Sequence, residues 1–191
     1  MKNKKVYLTF DDGIQEGTIN VLRTLAKNKI RATFFLTGIN TYYAYKRDSV
    51  HAYSIIKDIL NNHLLCNHSF SHCYDFYHTY YSKGLLVSET KRISALQDFY
   101  DNEDFLRNIL VNHKFVNVML DNSMSKIARL PGRNSWCLGK AQENESSGAL
   151  VSTFYREVDH DSGQVAKNLF SVGYQVFGWD EEWKMSFDFV L

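Results

Sequence analysis

Near its N-terminus the chain runs through a short series of β-branched and aromatic residues and then breaks abruptly into paired acids and a glycine, a pattern few folds other than a strand ending at a turn can accommodate. Lys5-Val6-Tyr7-Leu8-Thr9-Phe10 reads as a strand and Asp11-Asp12-Gly13 as its end. Behind it, Thr18 to Asn28 sets Ile19, Leu22, Leu25 and Ala26 on one helical face, with Thr18 as the expected N-cap. Ala32 to Leu36 is a compact apolar strand, Val50 to Asn61 a helix, and the residues before His68 another strand. Leu86 to Ile109 is rich in helix formers with apolar residues at helical spacing, and Gln164 to Ser171 reads as a helix leading into a strand at Tyr174 to Phe177. Tyr74 to Tyr81 is expected to be a surface loop, while Val116 to Leu120 and the segment ending at Arg129 carry no decisive period. Strands alternating with helices predict an α/β domain with parallel strands. The periodicity alone leaves an open doubly wound sheet and a barrel-like arrangement as alternatives.

Composition narrows the function classes. A chain of 191 residues, 45% hydrophobic and 15% aromatic, can bury a core in a single domain without disulfides. A net charge of +1 offers no general attraction to nucleic acid or to an acidic membrane surface, and suits a neutral or mixed glycan. No apolar run has the length of a membrane span or a signal-peptide core, so the chain as written is expected to be cytoplasmic. Cys66, Cys73 and Cys137 leave an odd thiol in any pairing and read as packing residues. Oligomeric state is not readable.

The acid pair carries chemistry when read with a second motif, His68-Ser69-Phe70-Ser71-His72. Successive strand residues face opposite ways, but where a strand breaks at a glycine, Asp11 and Asp12 can both reach one pocket. One carboxylate can then bind a divalent ion while the other accepts a proton from water that the ion has acidified. Imidazoles four residues apart, on a helical turn or in a tight loop, can both reach a zinc ion at about 2.0–2.1 Å. Asp12 would be the third ligand. Three protein ligands and one open position describe a catalytic rather than a structural site.

These segments resemble the polysaccharide deacetylase family, also called carbohydrate esterase family four. Its first motif is Thr-Phe-Asp-Asp-Gly, and its second is a His-Ser/Thr-x-x-His that follows a short apolar strand, here with Asn67 before His68. The resemblance implies a distorted or incomplete (β/α) barrel. It also implies a hydrolase that uses one divalent ion, zinc with cobalt or manganese as alternatives, to remove acetyl groups from N-acetylated sugars of a peptidoglycan- or chitin-like polysaccharide. Asp11 is then the catalytic base, and Asp12, His68 and His72 are the metal ligands. Arg129-Leu130-Pro131-Gly132 resembles the third motif: Arg129 orients the base, and Pro131 and Gly132 face the substrate. Phe177-Gly178-Trp179-Asp180-Glu181-Glu182-Trp183 resembles the fourth, where an acid pairs with Arg129. Glu182 is the best match for that acid and Asp180 its competitor, with Trp183 as an apolar wall for a sugar ring. The fifth motif, a Leu-x-His that protonates the leaving amine, has no counterpart among His51, His63, His78, His113 and His160. The expectation is one catalytic domain over residues 1–191 with its C-terminal part missing. The alternative is a catalytically impaired remnant that keeps the metal and the glycan. Members of the family usually act outside the cytoplasm.

Overall fold

Apolar four-residue strands alternating with amphipathic helices build the first half of the chain. The computed structural model describes residues 5–74, 76–87, 92–114, 126–141 and 150–183. In chain order these form β1 (Thr9–Gly13), α1 (Thr18–Asn28), β2 (Thr33–Leu36), α2 (Gly38–Arg47), α3 (Ser49–Asn62) and β3 (Leu64–Asn67), then α4 (Tyr77–Lys83), β4 (Leu85–Val87), β5 (Arg92–Ser94) and α5 (Ala95–Asn112). The remainder is β6 (Ile127–Ala128), β7 (Ser135–Ala141), β8 (Leu150–Glu157), α6 (Gly163–Ser171) and β9 (Gln175–Val176).

The main sheet has the order β1-β2-β3-β6-β9-β7-β8. Its strands run parallel from β1 to β9, and β7 is antiparallel to both β9 and β8. The result is a mixed, mostly parallel α/β sheet of the expected class, which does not close into a barrel among the described residues. β4 and β5 form a separate antiparallel pair. Two apolar clusters pack against the sheet. In the first, Leu22 and Leu25 of α1, Ile55, Ile56 and Ile59 of α3, and Leu106, Ile109 and Leu110 of α5 pack with Phe34, Leu36 and Leu65. In the second, Tyr80 and Tyr81 of α4 and Val165, Ala166 and Leu169 of α6 pack with Ala128, Leu130, Tyr174 and Val176. α5 contributes to both, since Ala95 and Phe99 belong to the second cluster.

Several sequence expectations shift. β1 begins at Thr9 rather than Lys5, and Val6 and Tyr7 are more than four-fifths exposed, because the ladder to β2 starts only where Leu8 accepts from Thr33 N. Gly17, not Thr18, is the N-cap of α1, and the Thr18 hydroxyl instead accepts from the Gln15 N–H. Sequence periodicity missed α2. Leu86 does not start a helix, because Leu85–Val87 and Arg92–Ser94 pair as strands and α5 begins at Ala95. Tyr74 to Tyr81 is not simply a surface loop either: α4 takes over at Tyr77, and Tyr80 and Tyr81 are buried against the second cluster. Val116 to Leu120 lies outside the described residues. All three cysteines are buried, and none is in a disulfide among the described residues.

Candidate active site

A break in strand register turns the acid pair inward. Asp11 sits opposite Phe35 and Gly13 opposite Leu36, so Asp12 is the extra residue of a bulge, and its backbone takes the left-handed conformation at φ +65°. Regular alternation would send the two carboxylates to opposite faces; the bulge brings both to the same end of the sheet. Asn40 of α2 holds the turn by donating Nδ2–H to the Asp12 carbonyl at 2.7 Å.

The histidines come from the tight loop after β3. Four residues here have positive φ, Ser69, His72, Cys73 and Tyr74, a conformation that is costly for side-chain-bearing residues and persists only where surroundings over-determine it. Every N–H from residue 68 to 74 has a partner. His68 N donates to Leu36 O, Ser69 N to Asn67 Oδ1, Phe70 N to Asp98 O, Ser71 N to Asp98 Oδ1, His72 N to Ser69 Oγ, Cys73 N to Ser71 Oγ, and Tyr74 N to Ser71 O. The first N–H groups of α2 donate back, Gly38 N to Ser69 O and Ile39 N to Phe70 O.

Three ligand atoms meet as a result. Among the described residues, Asp12, His68 and His72 are the group whose ligand atoms all lie within 4.8 Å of one another. The Asp12 Oδ1 atom is 3.4 Å from His68 Nε2 and 3.1 Å from His72 Nε2. His68 Nδ1 lies 2.8 Å from the Arg129 carbonyl, which can only accept, so Nδ1 carries the proton and Nε2 presents a lone pair. His72 Nδ1 lies 3.1 Å from the Tyr77 hydroxyl. Burial, and then the neighbouring His68, hold the His72 imidazole below its ordinary value, against the pull of Asp12 and Asp11. Asp12 Oδ1 is buried and accepts no hydrogen bond. An orphaned carboxylate oxygen facing two imidazole nitrogens is a donor set that a divalent cation would satisfy, so these residues fit a metal.

Asp11 is held separately. Its Oδ1 accepts from Arg129 Nη1 at 2.9 Å, while its Oδ2 faces His68 Nε2 at 3.9 Å. Arg129 is 4% exposed and stacks over the Phe35 ring. It also donates from Nη1 to Thr9 Oγ1 at 2.8 Å, from Nε to Phe177 O at 3.2 Å and from Nη2 to Gly178 O at 2.7 Å. The expectation that Glu182 or Asp180 pairs with Arg129 is therefore corrected. Two backbone carbonyls take the place of that acid, Asp180 is paired with Arg156 at the surface, and Glu182 is exposed. The carbonyls are aimed by Asn134, which donates to Trp179 O and accepts from Trp179 N. Gly178 is required there, since a Cβ would collide with Asn134 Oδ1 and Trp136 Nε1.

Pro131 is buried, and its carbonyl accepts from the Tyr81 hydroxyl. Gly132, at φ +57°, lies against the Tyr77 ring, so this turn touches the same tyrosine that reaches His72. Trp183 is 90% exposed. It joins Arg129, Trp179 and the starts of β1, β2, β3 and β6 around a cavity of about 870 Å³ whose lining excludes Asp11 and all three candidate ligands. The structure thus brings together Asp11, Asp12, His68, His72 and Arg129; Asp180 and Trp183 share a cavity with Arg129 but not with the carboxylates and histidines, and Glu182 is exposed. Thr9, Asn40, Asp98 and Tyr77 were missed. For Asp98 a signal existed, an acid set among apolar residues on the inward face of α5.

The profile of the family described as "Polysaccharide deacetylase" matches residues 1–131. The chain is 24% identical over 202 aligned positions to a chitin disaccharide deacetylase of Vibrio alginolyticus, covering 93% of this chain and 47% of that protein. It is 38% identical over 72 positions to a peptidoglycan-N-acetylmuramic acid deacetylase of Bacillus subtilis, covering 37% of this chain and 25% of the relative. The chain therefore spans less than half the length of these curated relatives. Among solved structures, it shares its fold with a polysaccharide deacetylase of Bacillus cereus at a TM-score of 0.53 and 19% identity, over 91% of this chain and 59% of that one. A family-four carbohydrate esterase of Streptococcus mutans also gives 0.53, at 24% identity over 93% of this chain and 57% of that one.

Proposed function

This chain belongs to the polysaccharide deacetylase family, and from that premise we propose that it hydrolyses the acetamide of an N-acetylated sugar in a chitin- or peptidoglycan-like polymer with the help of one divalent ion. Asp12, His68 and His72 would hold the ion, zinc in the first instance and cobalt or manganese as substitutes. When bound, such an ion supplies positive charge that acidifies water and stabilises the oxyanion of acyl transfer.

The chain's own residues divide the remaining work. Arg129 ties down one Asp11 oxygen and leaves Oδ2 on the side of the triad, where it can accept the proton of the attacking water. Thr9 and the carbonyls of Phe177 and Gly178 hold Arg129 so that the base cannot swing away. The single observation that carries this reading is the orphaned Asp12 Oδ1 between two imidazole nitrogens, one residue from a carboxylate held apart by arginine.

The test is acetate release from acetylated chito-oligosaccharides and from peptidoglycan. Chelated protein should release none, and restoring zinc, cobalt or manganese should restore release. Release that is indifferent to chelation would contradict the metal assignment.

A second reading, a remnant that keeps metal and glycan without turnover, draws on the histidines outside the triad. His63 accepts from Ala32 N, His113 stacks on Tyr53, His51 is on α3, and His78 and His160 are exposed. In that case metal and oligosaccharide bind and no acetate appears.

A further inference from the structure

α5 carries an acid that touches neither the triad nor Asp11 yet holds the loop on which both histidines sit. Asp98 is 1% exposed, and its two oxygens accept from Ser71 N at 3.0 Å, Ser71 Oγ at 2.8 Å and Tyr80 OH at 3.1 Å. Its backbone carbonyl accepts from Phe70 N at 2.9 Å. Ser71 in turn passes the restraint on, since its hydroxyl accepts from Cys73 N and its carbonyl from Tyr74 N. His72 lies between these anchored residues with φ +53°.

We propose that Asp98 is a positioning residue for the metal centre: it fixes the strained 69–73 turn so that His72 Nε2 stays beside Asp12 and His68. The proposal rests on the metal reading above. Burying a carboxylate is costly, and a stabilising role alone would be met as well by an apolar side chain on this inward face of α5. Two oxygens facing three donors on two elements give something an apolar residue cannot: a fixed register between α5, α4 and the loop. Without them, the left-handed turn can relax toward ordinary backbone geometry, and the imidazole moves with it. Second-tier partners of this kind typically change metal affinity by about 10–100-fold.

The experiment is calorimetric zinc titration, with cobalt(II) absorption spectra, on wild type, Asp98→Ala, Asp98→Asn and Ser71→Ala. Ile56→Ala in the other apolar cluster serves as a control that lowers stability alone. Asp98→Ala should weaken zinc binding by about 10–100-fold and alter the cobalt spectrum. Asp98→Asn should recover much of the loss, because its amide oxygen still accepts from Ser71 N. Ser71→Ala keeps Asp98 and should fold even if Asp98→Ala does not; it should show the same change in weaker form. The Ile56→Ala control should melt earlier with unchanged affinity and spectrum. Wild-type affinity and spectra in both Asp98→Ala and Ser71→Ala, or in Ser71→Ala alone if the alanine does not fold, would overturn the positioning role. Wild-type protein that takes up no ion would instead overturn the metal reading on which it rests.

Discussion

The two walls of the site are built by opposite means. On the wall of the candidate ligands, Asp12 sits on a bulge, and His68 and His72 sit in a left-handed turn whose N–H groups are satisfied by Leu36 of β2, Asn67 of β3, Asp98 of α5, the Ser69 and Ser71 hydroxyls and the Ser71 carbonyl. On the arginine wall, one buried cation is gripped by carbonyls at the end of a two-residue strand, with Asp180, Glu182 and Trp183 facing solvent nearby. Backbone strain is concentrated where three donor atoms must converge, whereas Asp11 is held by a charge that tolerates looser surroundings.

The largest effect that separates the walls is expected at Asp11. Asp11→Asn should lower deacetylation by about 10²–10⁴-fold while leaving zinc uptake intact. Loss of zinc in that variant would merge the two walls into one ligand set. Arg129→Ala comes next. It leaves two carbonyls, Thr9 and the Asp11 carboxylate without their partner, and should cost about 3–5 kcal/mol in denaturant unfolding. Neutralising the acids expected to pair with it, Asp180→Asn or Glu182→Gln, should stay within about 0.5 kcal/mol. A large loss in either variant would return the role to that acid.

A pH series sharpens the contrast from the ligand side. His72 is held below the ordinary value of 6.5 by burial and by His68, so the folded protein binds fewer protons there than the unfolded chain. Its contribution to stability is complete above that value and is lost as pH falls below it. The test is a pH titration of the His72 ring signals in metal-free protein, whose midpoint should lie below the ordinary histidine value. A midpoint above 6.5 would contradict a depressed imidazole. A loss smaller than that of Arg129→Ala is expected at Gly132→Ala, where the left-handed φ and the adjacent Tyr77 ring predict about 1–2 kcal/mol, read as a lower melting temperature.

What could be read from sequence follows the range of the interactions. Asp11-Asp12-Gly13 and the four-residue histidine spacing are local, and their chemistry is visible because the residues that carry it are close in sequence, although Asn40 and Asp98 hold their geometry from elsewhere. α1 and β2 were legible for the same reason, their periods being clean over a few turns. The partner of Arg129 was not. A carbonyl carries no side-chain signature, so the eye goes to Glu182 and Asp180, while the contact depends on Gly178 and Asn134 lying more than forty residues apart. α2 was missed because Gly38 opens it and its tyrosines blur the apolar stripe. The strands at Leu85 and Arg92 were absorbed into a helix because three-residue strands have too little length to show alternation.

Zinc titration of chelated wild-type protein beside Asp12→Ala, His68→Ala and His72→Ala addresses the convergence of these side chains most directly. One equivalent should bind to wild type, with each substitution weakening it by more than the roughly 100-fold reserved for outlying partners. Wild-type protein that binds no ion, or variants that bind it equally well, would contradict a shared cation at the end of β1 and β3.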